Sequence, residues 1–326
     1  MRNKEILITG GTGSLGKALT KALIPFKPKG IRIFSRSELN QFNMKQEFKG
    51  SKVPISYIIG DIRDRDRLTM AFNGVNYVIN AAAMKRIEVC ENDPLECIKT
   101  NVDGVSNVVY AALRNGVEKV LQVSTDKAVY PTTLYGASKK CAEDLIINAN
   151  TYSPLVWPHF MCVRYGNVLG SNGSVLGIFL KQIKDDKPLT VTNTEMTRFW
   201  ITLPDVCKFI IETLNTYSAG IHVPKMISST LIDLISCLEL INEKGFNYNT
   251  IPPQVNEKMH ESLTTVEETE RIILKKNRFI IEANQINTVN QAPSKWVYSS
   301  KNNYDGADAV RKPLTKMIKE VINENL

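Results

Sequence analysis

Residues 6–16 read Ile6-Leu7-Ile8-Thr9-Gly10-Gly11-Thr12-Gly13-Ser14-Leu15-Gly16, an apolar β-type run that breaks into glycines and then into helix-forming residues. Gly10, Gly13 and Gly16 fall at a G-x-x-G-x-x-G spacing. The first allows a tight turn, the second lets backbone N–H groups approach a pyrophosphate, and the third lets the following helix pack closely on the strand. A helix starting near Ser14 turns its positive end toward the phosphates. A glycine cluster alone is a weak signal. A strand before it and a helix after it are the context that makes it a dinucleotide loop, with Thr12, Ser14 and Leu15 completing its contact set.

Outward from this loop, short β-branched runs alternate with amphipathic stretches. Strands are expected at 5–9, 31–35, 55–59, 77–81, 119–124 and 160–165, and helices at 14–24, 37–48, 64–72, 94–115 and 134–150. This alternation predicts an α/β fold, a Rossmann-type doubly wound parallel sheet with helices on both faces. The strands are continuous apolar runs, as a sheet covered on both faces requires. Beyond about residue 170 the pattern loosens: helices are expected near 174–185, 203–216, 230–241 and 310–323, with strands near 189–192 and 221–223. The expected division is a dinucleotide-binding domain at 1–170, to which 198–225 returns, and a smaller C-terminal substrate-binding lobe and tail at 171–326.

The 326 residues are 43% hydrophobic and 23% charged, a globular balance that excludes intrinsic disorder and collagen-like repeats. No apolar run approaches the ~18–20 residues that span a bilayer. The apolar run after the charged Met1-Arg2-Asn3-Lys4-Glu5 stops at Gly10, unlike a signal peptide, so a cytoplasmic protein with no membrane partner is expected. The six cysteines form no Cys-x-x-Cys pair and none has a histidine at ligand spacing; they read as reduced small hydrophobes, and no metal is expected. The formal charge is +8. Residues 1–50 hold ten basic and three acidic side chains, so most of the excess is local to the glycine loop. It suits a phosphorylated dinucleotide, with Arg36 and Lys17 placed to meet phosphates, better than a nucleic acid, for which no recognition helix or aromatic platform is present.

The end of the second strand indicates which dinucleotide. A site for NAD usually has Asp or Glu there to hold the ribose 2′-OH. Here the residues are Ser35-Arg36-Ser37, so Arg36 can clamp a 2′-phosphate and Ser35 can donate to it, which favours NADP. Asp61 and Ile62 follow the third strand where an adenine would lie. Ala81 and Ala82, after Asn80, are small enough for a cofactor to cross the end of the fourth strand.

The fifth strand leads into Ser124-Thr125-Asp126-Lys127, and Tyr135-Gly136-Ala137-Ser138-Lys139 follows. Tyr135 and Lys139 are four apart and share one helix face. An ammonium beside a phenol lowers its pKa, giving a general base for an alcohol whose carbon loses hydride.

Together, Gly10/Gly13/Gly16, Asp61, Tyr135 and Lys139 resemble the extended short-chain dehydrogenase/reductases that act on nucleotide sugars, over most of the chain to about residue 262. Ala81-Ala82-Ala83-Met84-Lys85, the 94–101 segment, Ser124-Thr125-Asp126-Lys127 and Met196-Thr197-Arg198-Phe199 resemble more narrowly the inverting UDP-N-acetylglucosamine 4,6-dehydratases. The Asp126-Lys127 pair separates this type from 4-epimerases, which need only the Tyr/Lys couple, and from retaining dehydratases, which show Asp-Glu there.

The resemblance implies the following chemistry with tightly bound NADP. C4 is oxidised while Tyr135 accepts the 4-OH proton and Lys139 holds the ribose. Lys127, desolvated enough to be partly neutral, removes H5, and Asp126 protonates the departing 6-OH. Hydride returns to C6 and Lys127 reprotonates C5 from the opposite face, giving a 4-keto-6-deoxy-L-hexosamine for glycan biosynthesis. The resemblance also implies UDP-sugar contacts from Lys85, Thr125, Asn167, Thr197, Arg198 and Glu261, and a homo-oligomer. Gln254 stands where the family usually has an arginine on the diphosphate. A UDP-sugar 4-epimerase, a dehydratase of another nucleotide sugar, and a non-catalytic NADP-binding sensor remain open at this point.

Overall fold

Ile6, Leu7 and Ile8 have no exposed surface; Ile6 and Ile8 enter one hydrophobic core while Leu7 enters the core on the opposite face. Successive strand side chains point to opposite faces, so a strand apolar at every position must be covered on both. The computed structural model describes residues 1–152, 158–171, 173–253, 256–283 and 291–324.

The strands are β1 (Glu5–Thr9), β2 (Gly30–Ser35), β3 (Ile55–Ile59), β4 (Tyr77–Asn80), β5 (Lys119–Val123) and β6 (His159–Val163), then β7 (Asn167–Val168), β8 (Leu189–Val191), β9 (Thr197–Ile201), β10 (Ile221–Pro224), β11 (Ile227–Thr230), β12 (Tyr248–Thr250), β13 (Ile272–Leu274) and β14 (Arg278–Ile281). Nine of them form one sheet in the order β13-β14-β10-β6-β5-β4-β1-β2-β3. From β10 to β3 every neighbour is parallel; β14 and β13 join antiparallel at the far edge. The order reverses between β1 and β4, the switch point beside which ligands lie in doubly wound sheets.

The helices are α1 (Ser14–Leu23), α2 (Glu38–Glu47), α3 (Arg65–Phe72), α4 (Ile87–Asn92), α5 (Pro94–Ile98), α6 (Gly104–Asn115), α7 (Leu134–Asn148), α8 (Val175–Lys184), α9 (Leu203–Leu214), α10 (Leu231–Asn242) and α11 (Ala307–Glu324). Leu19 and Leu23 of α1 and Val206 and Ile210 of α9 cover one face of the sheet. Leu68 of α3, Val108 of α6 and Ile146 of α7 cover the other. Helices α8, α10 and α11 build a separate core with Trp200 of β9. No helix among the described residues is long and apolar enough to cross a membrane.

The structure departs from the sequence reading in three places. The single helix expected over 94–115 is two helices joined by a wide π-type turn at Lys99–Asp103. There Asn101 is buried, accepting from Met84 N at 2.8 Å and donating to Met84 O and Ser138 Oγ at 3.0 Å. Strands β7, β9 and β11 form a small sheet that periodicity did not reveal, because all five residues of β9 are buried and none alternates. Finally, β13 and β14, from the span assigned to the C-terminal lobe, complete the large sheet by pairing on β10.

Candidate active site

The glycine loop sits at the switch point. Gly10 has φ +61°, and a Cβ there would lie 2.9 Å from the Ala82 Cα, so the end of β4 crosses directly over the loop. Ala82 N donates to Thr9 Oγ1 at 3.2 Å and fixes that crossing. Helix α1 starts from Gly13 with no side-chain cap and no acidic residue in its first turn. Its leading N–H groups and positive end are therefore left for an anionic ligand, and the residues present fit a dinucleotide diphosphate. By contrast α2 and α3 are capped by Ser37 and Asp64.

Arg36 stands beside this loop with its side chain 63% exposed and Nη1 3.7 Å from Asp61 Oδ2. Gln41 Nε2 donates to Ser35 Oγ at 3.1 Å, which leaves the Ser35 hydrogen free to donate elsewhere. Asp61 is held by Arg63, with Nη2–Oδ2 at 2.6 Å and the Arg63 backbone N at 3.0 Å. Burial would raise Asp61, but hydrogen bonds from Arg63 and the charges of Arg63 and Arg36 outweigh it and hold the carboxyl low. Ile62 is buried against α6 at Gly104. Lys17 does not face the loop; its Nζ bonds Glu47 at 2.8 Å.

The end of β5 and the start of α7 are brought together by backbone. Asp126 and Lys127 lie on a one-turn helix capped by Thr125. A Cβ on Gly136 would fall 2.3 Å from Lys127 O, so only glycine lets α7 pack there and hold Tyr135 beside the turn. Asp126 has no exposed surface. Its Oδ1 accepts from Thr125 Oγ1 at 2.8 Å and from Lys127 Nζ at 3.1 Å, and its Oδ2 is buried with no hydrogen-bond partner among the described residues. Lys127 Nζ also lies 3.6 Å from Glu261 Oε1.

Two electrostatic expectations change here. Burial would lower Lys127, yet the charges of Asp126 and Glu261 outweigh burial and raise it, so the surroundings favour the ammonium over the neutral amine. Burial pushes Tyr135 up to about 12; Asp126 adds to the rise, and the Lys127 charge and a Thr125 hydrogen bond oppose it. The Lys139 ammonium is itself disfavoured by burial, which lowers its pKa, and its Nζ donates to Val123 O at 2.7 Å.

A cavity of about 360 Å³ opens next to this cluster, lined by Lys127, Asn167, Arg198 and Glu261 among others. Asn167 Oδ1 is buried and has no hydrogen-bond partner among the described residues, an acceptor suited to a ligand hydroxyl or amide. Arg198 is held by Glu257 at 3.2 Å and by the carbonyls of Thr197 and Met259. Thr197 lies behind the wall: its Oγ1 is bonded to His260 Nδ1 at 2.8 Å and Ser300 Oγ at 2.7 Å, clamping the 259–261 segment. Lys85 is exposed on the segment after β4 and Thr125 beneath the turn, neither on the cavity wall. Gln254 lies outside the described residues.

Sequence reasoning passed over Glu257 and Lys258, which also line the cavity. Lys258 Nζ donates to Val129 O at 2.7 Å and lies 3.7 Å from Glu261 Oε2. The signal was available in Glu257-Lys258-Met259-His260-Glu261, where three charged side chains fall within five residues. No cluster of three or more His, Cys, Asp or Glu able to hold a metal occurs among the described residues.

A glycine loop at the switch point of a parallel sheet, with a buried Tyr-x-x-x-Lys helix beside it, defines the class of the extended short-chain dehydrogenase/reductases. Within that class the chain belongs to the polysaccharide biosynthesis protein family, whose model matches residues 6–283. It is 43% identical over 269 residues to a UDP-N-acetylglucosamine 4,6-dehydratase (inverting) of Campylobacter jejuni subsp. jejuni serotype O:23/36 (strain 81-176), covering 82% of this chain and 79% of that protein. It is 41% identical over 273 residues to a protein named UDP-glucose 4-epimerase of Rickettsia massiliae (strain Mtu5), with the same two coverages of 82% and 79%. Among solved structures, the X-ray structure of Pen from Bacillus thuringiensis superposes with a TM-score of 0.89 at 35% identity, covering 98% of this chain and 99% of that one.

Proposed function

We propose that this protein is an NADP-dependent, 5-inverting UDP-N-acetylglucosamine 4,6-dehydratase that makes a 4-keto-6-deoxy-L-hexosamine nucleotide for deoxy-sugar or glycan biosynthesis. The observation that carries the reading is buried Asp126 bonded to Lys127, which lines the cavity, one carboxylate oxygen having no hydrogen-bond partner among the described residues, in a chain 43% identical to a named inverting dehydratase. An epimerase has no use for such a pair. The preference for NADP is supported by Arg36, largely exposed beside the glycine loop at a strand end with no carboxylate of its own.

In this reading residues 1–170 carry the cofactor and residues from 171–326 hold the sugar nucleotide. When bound, the dinucleotide supplies the oxidant for C4 and later the reductant for C6. Tyr135 takes the 4-OH proton as the ketone forms, and Lys139 holds the ribose. The ketone acidifies H5, which Lys127 removes; Asp126 protonates the 6-OH so that it departs as water; Lys127 then returns a proton to C5 on the opposite face. Arg198 and Lys258 supply positive charge for the nucleotide diphosphate, and Asn167 Oδ1 accepts from the sugar.

A proton NMR time course with UDP-N-acetylglucosamine in D₂O tests the reading. Deuterium at C5 of an L-configured 4-keto-6-deoxy product is expected; a D-configured product overturns the inverting assignment. The Rickettsia relative favours one other reading, a UDP-sugar 4-epimerase. A C4 epimer with no 4-keto-6-deoxy product in the same spectra would establish it.

A further inference from the structure

Lys127 is the base of the proposed reaction, and the structure gives it the wrong charge for that task. Its Nζ lies between Asp126 Oδ1 at 3.1 Å and Glu261 Oε1 at 3.6 Å, two carboxylates that both favour the ammonium. An ammonium cannot remove a proton from carbon. Before H5 can leave, Lys127 must give a proton to a group already within reach.

We propose that Glu261 is that group: it takes a proton from Lys127 to free the amine, and returns it when the cycle closes. The inference rests on the dehydratase reading. Glu261 is 4% exposed, and its Oε2 is buried with no hydrogen-bond partner among the described residues. A buried carboxylate that few donors stabilise is the one for which the neutral form costs least. Asp126 Oδ2 is also buried without a partner among the described residues, but Asp126 must already carry a proton for the 6-OH when H5 leaves, so it has no room for the one from Lys127. Burial, reinforced by the Asp126 charge, raises the Glu261 carboxyl against the pull of Lys127, Lys258 and Arg198.

The position of Glu261 is built, not accidental. Its backbone N donates to Ser300 Oγ at 2.9 Å and its O accepts from Ser300 N at 2.7 Å. Two residues earlier, Met259 O accepts from Thr197 N at 3.0 Å. The clamp presents the carboxylate across the cavity to Lys127. The charged and titratable groups around the pair are Asp126 on the same turn as Lys127, Tyr135 on α7, Arg198 on β9, and Glu257, Lys258 and His260 on Glu261's own segment.

The proton count closes. A Lys127 N–H bond breaks and a Glu261 O–H bond forms; the amine lone pair then takes H5, and the C5–H electron pair moves into the ketone-stabilised anion that expels the 6-OH. After C6 is reduced, Lys127 reprotonates C5 and Glu261 returns its proton to the amine. The proton that Asp126 gives to the departing 6-OH is matched by the one Tyr135 takes from the 4-OH, so the protein's total is unchanged over the cycle. No group of the protein is oxidised or reduced. Glu261 acts through Lys127 and is in that sense a positioning residue.

The test separates C4 oxidation from C5 chemistry. With NADP-loaded enzyme and UDP-N-acetylglucosamine, C4 oxidation is read in a single turnover as the 340 nm transient, and C5 chemistry as deuterium entry from D₂O. Glu261→Gln is expected to keep the transient within about threefold and to slow C5 exchange ~100-fold or more, the usual effect of losing a proton-transfer group. Glu261→Asp, still able to take a proton from further away, is expected to recover part of the exchange. It also carries the test if the Gln variant does not fold. Equal slowing of both readouts would reduce Glu261 to a structural part, and unchanged exchange would remove it from the reaction; either overturns the proposal. Absence of C5 exchange in the wild-type enzyme would instead defeat the dehydratase reading on which it stands.

Discussion

Arg164 and Glu143 meet as a bidentate pair in which neither side chain has any exposed surface, with Nε–Oε1 at 2.9 Å and Nη2–Oε2 at 2.6 Å. Glu143 is one turn beyond Lys139 on α7. The same guanidinium holds Glu268 through both nitrogens and Leu263 O at 2.9 Å, two residues from Glu261. One arginine thus ties the helix of Tyr135 and Lys139 to the segment that presents Glu261. Removing Arg164 would leave two buried carboxylates, Glu143 and Glu268, without compensation. Arg164→Gln is therefore expected to cost about 3–5 kcal/mol in urea unfolding. A loss below 1 kcal/mol would show that the network is dispensable.

Arg36 is expected to discriminate between dinucleotides without supporting the fold. Its side chain is 63% exposed and its contact to Asp61 is long at 3.7 Å. Arg36→Ala should weaken NADP⁺ binding about 10–100-fold, the equivalent of ~1.5–3 kcal/mol for a charged hydrogen bond, and leave NAD⁺ binding and the melting temperature nearly unchanged. Fluorescence titration with both dinucleotides measures this; equal weakening of the two would remove the assignment to the 2′-phosphate.

Both bases of the proposed reaction are held protonated at neutral pH, Tyr135 by burial and Lys127 by its carboxylates despite burial. Lys127 passes its proton to Glu261 inside the protein, a transfer that leaves the proton count unchanged, whereas Tyr135 must lose its proton outright and does so more readily as pH rises. The rate of C4 oxidation should therefore climb between pH 7 and pH 9 rather than peak near 7. A pH series of the single-turnover 340 nm transient reads this directly, and a rate that declines over that interval would contradict the assignment of Tyr135.

His222 makes stability fall in acid. Burial lowers it to about 4, and its Nε2–H donates to Ser218 O at 3.1 Å. Its folded pKa lies below the unfolded value of ~6.5, so between these limits the unfolded chain binds a proton that the folded chain refuses. The contribution is whole above about pH 6.5 and is lost as pH drops toward 4, amounting to ~2–3 kcal/mol. Urea midpoints at pH 7 and 4.5 should differ less in His222→Gln than in the native protein; an identical difference would assign the acid loss elsewhere.

The glycine loop and the α7 motif were legible because each needs particular residue types at fixed spacing: Gly10 where φ is positive and β4 crosses, Gly136 where α7 meets Lys127 O, and Tyr135 four residues before Lys139. Much of the lobe was not legible. Strand β9 is buried at every residue and carries no period, and β7 is only two residues long. Thr197 looked like a substrate contact, but its hydroxyl is used on His260 and Ser300, partners 63 and 103 residues away that no local pattern could supply. The protonation of Lys127 was misjudged for the same reason. Its burial follows from the turn, whereas the second carboxylate that outweighs burial comes from Glu261, far along the chain.

The large sheet does not end where the parallel strands end. Strands β14 and β13 pair at its edge through residues 272–281, more than a hundred positions after β6. During synthesis the first six strands emerge and associate while their β10 side has no neighbour. An open strand edge of this kind invites pairing between nascent chains. A fragment ending near residue 170 would carry the glycine loop and the Tyr135 helix yet present that bare edge permanently. Such a fragment should self-associate rather than serve as a free-standing cofactor module, and the last third of the chain acts as the sheet's own seal.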